Sequence, residues 1–342
     1  MSIMNREPII DNAKFVLIFL VVFGHVIQPF KSELASIELL YHWIYLFHMP
    51  AFIFLSGFFA KGLGNKGYLS KLSKKLLLPY LIFHLFYTCY YLVLGVEGWE
   101  LTILKPRWSL WFLLSLFCWH LMLIIFKKIP PVFSVIIAVE IGLIVGYVNG
   151  IGHTLSLSRT FVFFPFFLLG YWVTKKQLLL VKTKQMKIIC GIIMTLVAIG
   201  IYIAPPFSSH WLLGSNSYQA LGQPEFGGLL RLGIYFIAIL MIISVFAWIP
   251  IKENRFTKIG ESTIYVYLLH GIFIHFFRST EILKINHFLD ILGLALVSLI
   301  IVIILTCKPI KLLSQPLIEG KWTLLQQQRK RIHAYTRRIF DN

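Results

Sequence analysis

Charge is what this sequence has least of. Charged residues make up 13% of the 342-residue chain and hydrophobic ones 58%, against about 25% and about 45–50% in soluble domains. Too few charged side chains remain to cover a water-exposed surface, which excludes a soluble globular fold. A disordered chain, a collagen and a coiled coil are excluded by the same figures. Acidic residues are scarcest, 14 against 32 Lys and Arg, for a formal net charge of +18. In a soluble chain that excess would point to nucleic acid. Here no nucleic-acid-binding module interrupts the apolar segments. Cytoplasmic loops of membrane proteins collect Lys and Arg, and anionic lipids attract them, so no nucleic-acid partner is expected. Cysteine is sparse as well. Cys89, Cys118, Cys190 and Cys307 lie in or beside apolar runs at unrelated spacings, giving neither a zinc pattern nor a disulfide framework. No metal cluster is evident, and no repeat of 20–50 residues is visible.

What is present is apolar sequence in long runs, with a mean hydropathy of +0.79. Runs of about 17–25 residues suffice to cross a bilayer as helices. Ten are found, at 9–30, 39–60, 76–96, 108–126, 132–150, 160–173, 188–204, 227–249, 263–277 and 288–306. The sixth and ninth are short, and each is expected to extend several residues or to tilt. With the N-terminus inside, 25 of the 32 basic residues fall on inside segments and seven outside, namely Lys31, Lys105, Arg107, Arg159, Arg231, Arg278 and Lys284. That split follows the positive-inside rule. The expected fold is an all-α polytopic membrane helix bundle of about ten transmembrane helices, N-terminus and C-terminus inside. Residues 1–306 form the membrane domain. Residues 307–342 form a basic cytoplasmic tail with an amphipathic helix on the inner membrane surface. The first run carries Asp11 and Lys14 and lacks a small-residue cleavage site, so it reads as a retained helix rather than a signal peptide.

Ionisable residues inside spans are costly and mark function or a buried partner. In the first run Lys14 and His25 are eleven residues apart, close to three helical turns, so they share a face about 16 Å apart along the axis. Asp11 and Lys14 form an i,i+3 pair able to neutralise each other. The plainer alternative has Lys14 reaching the inner interface and His25 as a neutral core histidine. The second run places His48 near mid-membrane with Pro50 behind it, where a missing backbone donor frees carbonyls in that turn. Ser56-Gly57 fits either a substrate contact or close helix packing. Lys74 and Lys75 open the third helix, where simple inner-face anchoring also explains them. Trp111 begins the fourth at the outer interface, as an aromatic-belt residue would. Glu140 lies near mid-span in the fifth and is expected to be neutral or paired with His or Lys. His84 and His120 read as structural. The ninth run follows Gly260-Glu261-Ser262-Thr263 and holds Tyr265 and, near the midplane, His270. The loop 205–226 is rich in Pro, Gly, Ser, Asn and Gln. It is expected outside, with Trp211 and Tyr218 offered either to a sugar or to lipid headgroups.

These residues resemble a family. Asp11-x-x-Lys14 followed after ten residues by His25 is similar to the opening motif of the acyltransferase 3 family of membrane-bound O-acyltransferases. Phe47-His48-Met49-Pro50 with Leu55-Ser56-Gly57-Phe58, the stretch from Lys74 to Tyr80, Trp111-Phe112-Leu113, and Gly260-x-x-Thr263-Ile264-Tyr265 with Leu269-His270 resemble its later motifs. The similarity runs from Asp11 to about Thr306 and points to the branch of fucose 4-O-acetylase-like proteins. Lys75 departs from the Arg found in many members, and Lys cannot grip phosphate bidentately.

The resemblance implies that an acyl group, commonly acetyl from cytoplasmic acetyl-CoA, passes to a hydroxyl of a glycan or lipid-linked sugar. His25 is implied as general base or acyl carrier, roles that a group titrating near neutrality suits. Asp11 and Glu140 complete the candidate catalytic set. Lys14, Lys74 and Lys75 are the candidate acyl-CoA contacts. His48, Ser56, Trp111, Trp211, Tyr218, Tyr265 and His270 are the candidate acceptor contacts. No metal is expected. Two other classes fit less of the sequence. A transporter or flippase for a saccharide or lipid-linked intermediate suits broken helices and polar in-span residues, but no two-half symmetry is visible. A non-catalytic scaffold leaves the Lys14–His25 stripe unexplained.

Overall fold

A computed structural model of the chain describes residues 7–62, 67–96, 102, 104–152, 154–320 and 326. Among these there is no strand. The helices are α1 Pro8–Ile27, α2 Ala35–Phe58, α3 Tyr68–Leu94, α4 Trp111–Phe126, α5 Pro131–Ile144, α6 Leu157–Trp172, α7 Lys175–Leu180 and α8 Lys184–Ile203. They continue with α9 His210–Leu213, α10 Gly227–Trp248, α11 Thr257–Gly260, α12 Thr263–Thr280, α13 Asp290–Thr306 and α14 Lys308–Glu319.

Each of the ten apolar runs is a helix. Seven of them, α1, α2, α3, α4, α6, α8 and α10, are long and apolar enough to cross a membrane, some counted with a flanking turn. α5 is apolar but shorter, α13 bends by 68° into α14, and the unbroken α12 carries His270, His275 and Arg278 among its apolar residues. The chain is a helical membrane protein. The two short runs lengthen as expected: α6 begins at Leu157 and α12 reaches Thr280. The tail of 307–342 begins with α14, which leaves Leu313 and Leu317 exposed. Residues 321–325 and 327–342, the rest of the tail, lie outside the described residues.

Contacts at the two ends of the bundle show the helices running in alternation. At one end Asn12 Nδ2 donates to the carbonyls of Pro250 (2.8 Å) and Lys252 (3.0 Å), and Thr257 Oγ1 donates to Asn12 Oδ1 at 2.6 Å. Lys182 Nζ donates to the carbonyls of Phe246 and Ile249, which closes the end of α10. Loss of water around its ammonium brings the Lys182 pKa down to about 8, with Lys187 nearby adding to the shift. At the other end Tyr91 Oη meets His275 Nε2 at 3.0 Å, Arg278 Nη2 reaches the His25 carbonyl, and Tyr218 Oη donates to the Leu143 carbonyl.

Packing is tightest between α2 and α6. A Cβ on Gly57 would stand 1.9 Å from the Phe167 carbonyl oxygen, and one on Gly170 would stand 1.8 Å from that of Phe54. Two glycines thus let the backbones touch, the small-residue mode of membrane helix packing. Close packing is therefore what Gly57 does here, while Ser56 Oγ donates to the Phe52 carbonyl at 2.9 Å. Gly260 plays the same part where α11 meets α1: a Cβ there would lie 1.8 Å from the Asp11 carbonyl oxygen. The two sequence motifs that begin at Asp11 and Gly260 are neighbours in space.

Candidate active site

Three helical stripes converge where α1 and α12 end. Val21, His25 and Gln28 recur at helical spacing through α1 and the turn after it. Tyr41, Tyr45 and His48 do so on α2, as do Tyr267, His270, Ile274 and Arg278 on α12. Trp108, Ser109 and Trp111 arrive from the turn that opens α4, and Arg159 from the first turn of α6.

His25 is the centre. Its ring lies 4.4 Å from Trp108, 5.6 Å from His270 and 6.3 Å from Tyr45, centroid to centroid. Two oxygens stand near its Nδ1, Tyr45 Oη at 3.3 Å and Gln28 Oε1 at 3.5 Å. A proton on Nδ1 directed at these oxygens leaves Nε2 with its lone pair, the form a base or nucleophile requires. Arg278 Nη2 donates to Gln28 Oε1 at 2.8 Å and to the His25 carbonyl at 3.3 Å, so α12 holds both residues.

The neighbouring histidines have their tautomers set by the helix. His48 Nδ1 donates to the Ile44 carbonyl and His270 Nδ1 to the Val266 carbonyl, each at 2.9 Å. A carbonyl only accepts, so both protons sit on Nδ1, and in the neutral rings Nε2 is an acceptor. The Nε2 of His270 is buried with no partner among the described residues. Trp108 is wedged between His25, His270 and His275. Its backbone has φ of 41°, a left-handed conformation unusual for a bulky residue. Gly271 makes room for it, since a Cβ there would stand 2.6 Å from the indole.

Two cavities meet at His25 and Gln28. One, of about 750 Å³, opens at this end of the bundle and is lined by Lys31, Glu33, Phe277, Arg278 and Lys284 among others. The second, of about 130 Å³, runs inward past Tyr45, His48, Met49, Trp111, Arg159 and Phe163. The guanidinium of Arg159 lies over the Trp111 ring at 5.0 Å, and its Nε donates to the Leu213 carbonyl at 3.2 Å.

Of the residues singled out in the sequence, His25, His48, Trp111 and His270 come together. Lys14 lies at the far end of the same stripe, paired with Asp11 at 2.9 Å as expected, with its ammonium 4.7 Å from the Phe59 ring. Lys74 and Lys75 are exposed on the first turns of α3. Tyr265 is at the Lys14 end, where its hydroxyl donates to Glu319 at 2.6 Å. Three expectations need correction. Glu140 is exposed on α5, away from both cavities, and has no His or Lys partner among the described residues. It sits opposite the face that Ser134, Ala138 and Gly142 pack inward. Trp211 and Tyr218 are not offered to a sugar or to headgroups: they are 8% and 0% exposed. Tyr218 fills the space above Gly146 and Gly227, stacks on Trp211 and lies under the Arg231 guanidinium.

The residues that sequence reasoning passed over are Gln28, Tyr45, Trp108, Arg159, Tyr267, His275 and Arg278. A signal for two of them was available. The four outside arginines are charges that the positive-inside rule disfavours there, and none of the four is exposed. A family model described as an acyltransferase domain, acyltransferase 3, matches residues 7–307. Comparison with curated proteins and with solved structures returns no match. The family model spans α1 to the end of α13, the whole bundle that carries His25 and its two cavities, and the chain belongs to the acyltransferase 3 family of membrane acyltransferases.

Proposed function

We propose that this protein takes an acyl group, acetyl in the simplest case, from acyl-CoA in the cytoplasm and transfers it to a hydroxyl of a glycan or lipid-linked sugar at the other face of the cell membrane. The observation that carries this reading is His25 as the shared wall of two adjoining cavities, a large one at the end of the bundle and a smaller one running inward. A transfer centre needs two substrates on two sides of one proton-carrying group, and His25 is so placed. In this reading the ten alternating helices are the spans and both termini face the cytoplasm.

The chemistry balances at the imidazole. The acceptor hydroxyl gives its proton to His25 Nε2 as its oxygen bonds the thioester carbon. The carbon–sulfur bond breaks, and the CoA sulfur leaves with that proton. The alternative order makes the imidazole an acyl carrier, with the same net result. Arg159 supplies a positive charge for the carbonyl oxygen as it becomes negative. Lys14 at the opposite end of the stripe, with the exposed Lys74 and Lys75, supplies charge for the CoA phosphates. The gap of about 16 Å between Lys14 and His25 is one for the pantetheine arm to bridge. The open cavity takes the sugar. O-acetylation in the manner of the fucose 4-O-acetylase-like branch fits this arrangement.

Mass spectrometry of surface glycans from a strain lacking the gene tests the reading. Loss of an O-acyl ester, restored by the wild-type chain and not by His25→Gln, is expected. An unchanged glycan profile would overturn it.

A further inference from the structure

Basic residues are scarce on the face read as outside, and they are not scattered there. Of the seven, Lys31, Arg278 and Lys284 line the larger cavity, and Arg159 lines the smaller one that adjoins it. A cation that a span end merely tolerates extends its charged head into water. Four of seven gathered around one pair of cavities need another reason.

Charge in the larger cavity is also sorted by exposure. Its two carboxylates, Glu33 and Glu281, are exposed, as is Lys284, so water and salt screen all three. Lys31 and Arg278 are half-buried, and neither has a carboxylate partner among the described residues. Lys31 Nζ donates to Ser209 Oγ at 3.1 Å and lies 5.5 Å from the centre of the Tyr41 ring. Arg278 directs Nη2 at the Gln28 side chain and the His25 carbonyl, while its Nε is buried with no partner among the described residues. Neutral groups thus hold both cations and leave their charge uncompensated. A partly desolvated cation in that state gains most from an anion that arrives beside it. Because Arg278 touches the His25 carbonyl, that anion would sit near the transfer centre.

We propose that the acceptor is itself an anion: it carries an oxyanion, phosphate or carboxylate, close to the hydroxyl that is acylated, and Lys31 and Arg278 bind it in the larger cavity. The proposal rests on that cavity being the acceptor side of His25. Two sources share the chemistry, the diphosphate of a lipid-linked sugar and the carboxylate of an acidic sugar. Lys31 is the residue to change, since Arg278 also holds His25 and Gln28 in place.

The test measures CoA thiol release from acetyl-CoA, above a His25→Ala background, in membranes carrying the full chain and its endogenous acceptor. Inorganic diphosphate, methyl glucuronoside and the neutral methyl glucoside are added in turn, with EDTA and at matched ionic strength. Diphosphate or the glucuronoside is expected to inhibit at least about tenfold more strongly than the glucoside, the scale of a charge-assisted hydrogen bond. The more potent of the two anions names the source. The inhibition is expected to persist at saturating acetyl-CoA, to weaken about tenfold in Lys31→Gln and to be retained in Lys31→Arg. Inhibition by neither anion, or by all three compounds alike, overturns the proposal. So does inhibition that saturating acetyl-CoA removes, which would place the anion at the Lys14 end. Inhibition that Lys31→Gln leaves unchanged, or that Lys31→Arg loses equally, overturns it too. All of these results leave His25 as the transfer centre. No release above background overturns the transfer reading itself, and the anion assignment with it.

Discussion

Arg278 Nη2 on α12 donates to Gln28 Oε1 at 2.8 Å, and the same nitrogen reaches the carbonyl of His25 at 3.3 Å. One guanidinium therefore fixes the end of α1, the ring nearest Gln28, and the wall shared by the two cavities. Arg278→Met is expected to lower kcat about tenfold or more, the scale for loss of a charge-assisted hydrogen bond. Arg278→Lys keeps the charge on a shorter, more strongly hydrated side chain and is expected to restore activity only in part. Full activity in either variant would show that α1 holds His25 without help.

The Lys14 end answers to a different measurement. Lys74→Gln and Lys75→Gln are expected to raise the apparent KM for acetyl-CoA and to leave kcat close to wild type, since both residues lie far from His25 along α3. Changed topology with an unchanged KM would mean that these lysines only anchor the helix.

Gly170 lets α6 lie against the Phe54 carbonyl of α2. Gly170→Ala forces the two backbones apart, and overpacking of this kind costs about 1–3 kcal/mol. A lowered Tm in detergent together with reduced accumulation is the expected result. Wild-type thermal stability would contradict the close approach.

The segment between α8 and α10 is expected on the outer side. Ala220 is exposed there, so Ala220→Cys is expected to react with an impermeant thiol reagent on intact cells. Tyr218→Ala is expected to weaken acceptor and donor use alike by loosening the packing above Gly146 and Gly227. Protection of the cysteine at 220 would reverse the topology. Loss of acceptor use alone would return Tyr218 to a binding role.

The helices were legible because an apolar run in this chain is nearly synonymous with a helix, and the ends moved by only a turn or two. The stripe from Lys14 to His25 was legible because 3.6-residue periodicity carries through an unbroken α1. Arg159 and Arg278 were missed because hydropathy places a charge at the end of a run in a loop and does not distinguish a loop from a cavity. Trp108 was passed over because its left-handed backbone and its position between three histidines follow from tertiary packing alone. Glu140 was misjudged although a cue was present. Ser134, Ala138 and Gly142 mark the packed face of α5 by their small size, and Glu140 falls on the opposite one. The loop 205–226 misled by composition, since its polar residues surround two aromatics that fold inward.

The most direct test of the central claim is acyl transfer by purified His25→Ala reconstituted in lipid, beside wild type at matched folding and Tm. Removing a general base or an acyl carrier is expected to cost at least about a hundredfold in rate, with acetyl-CoA affinity unchanged. Transfer within a fewfold of wild type would contradict the assignment of His25 as the group between the two cavities that moves the acyl chain.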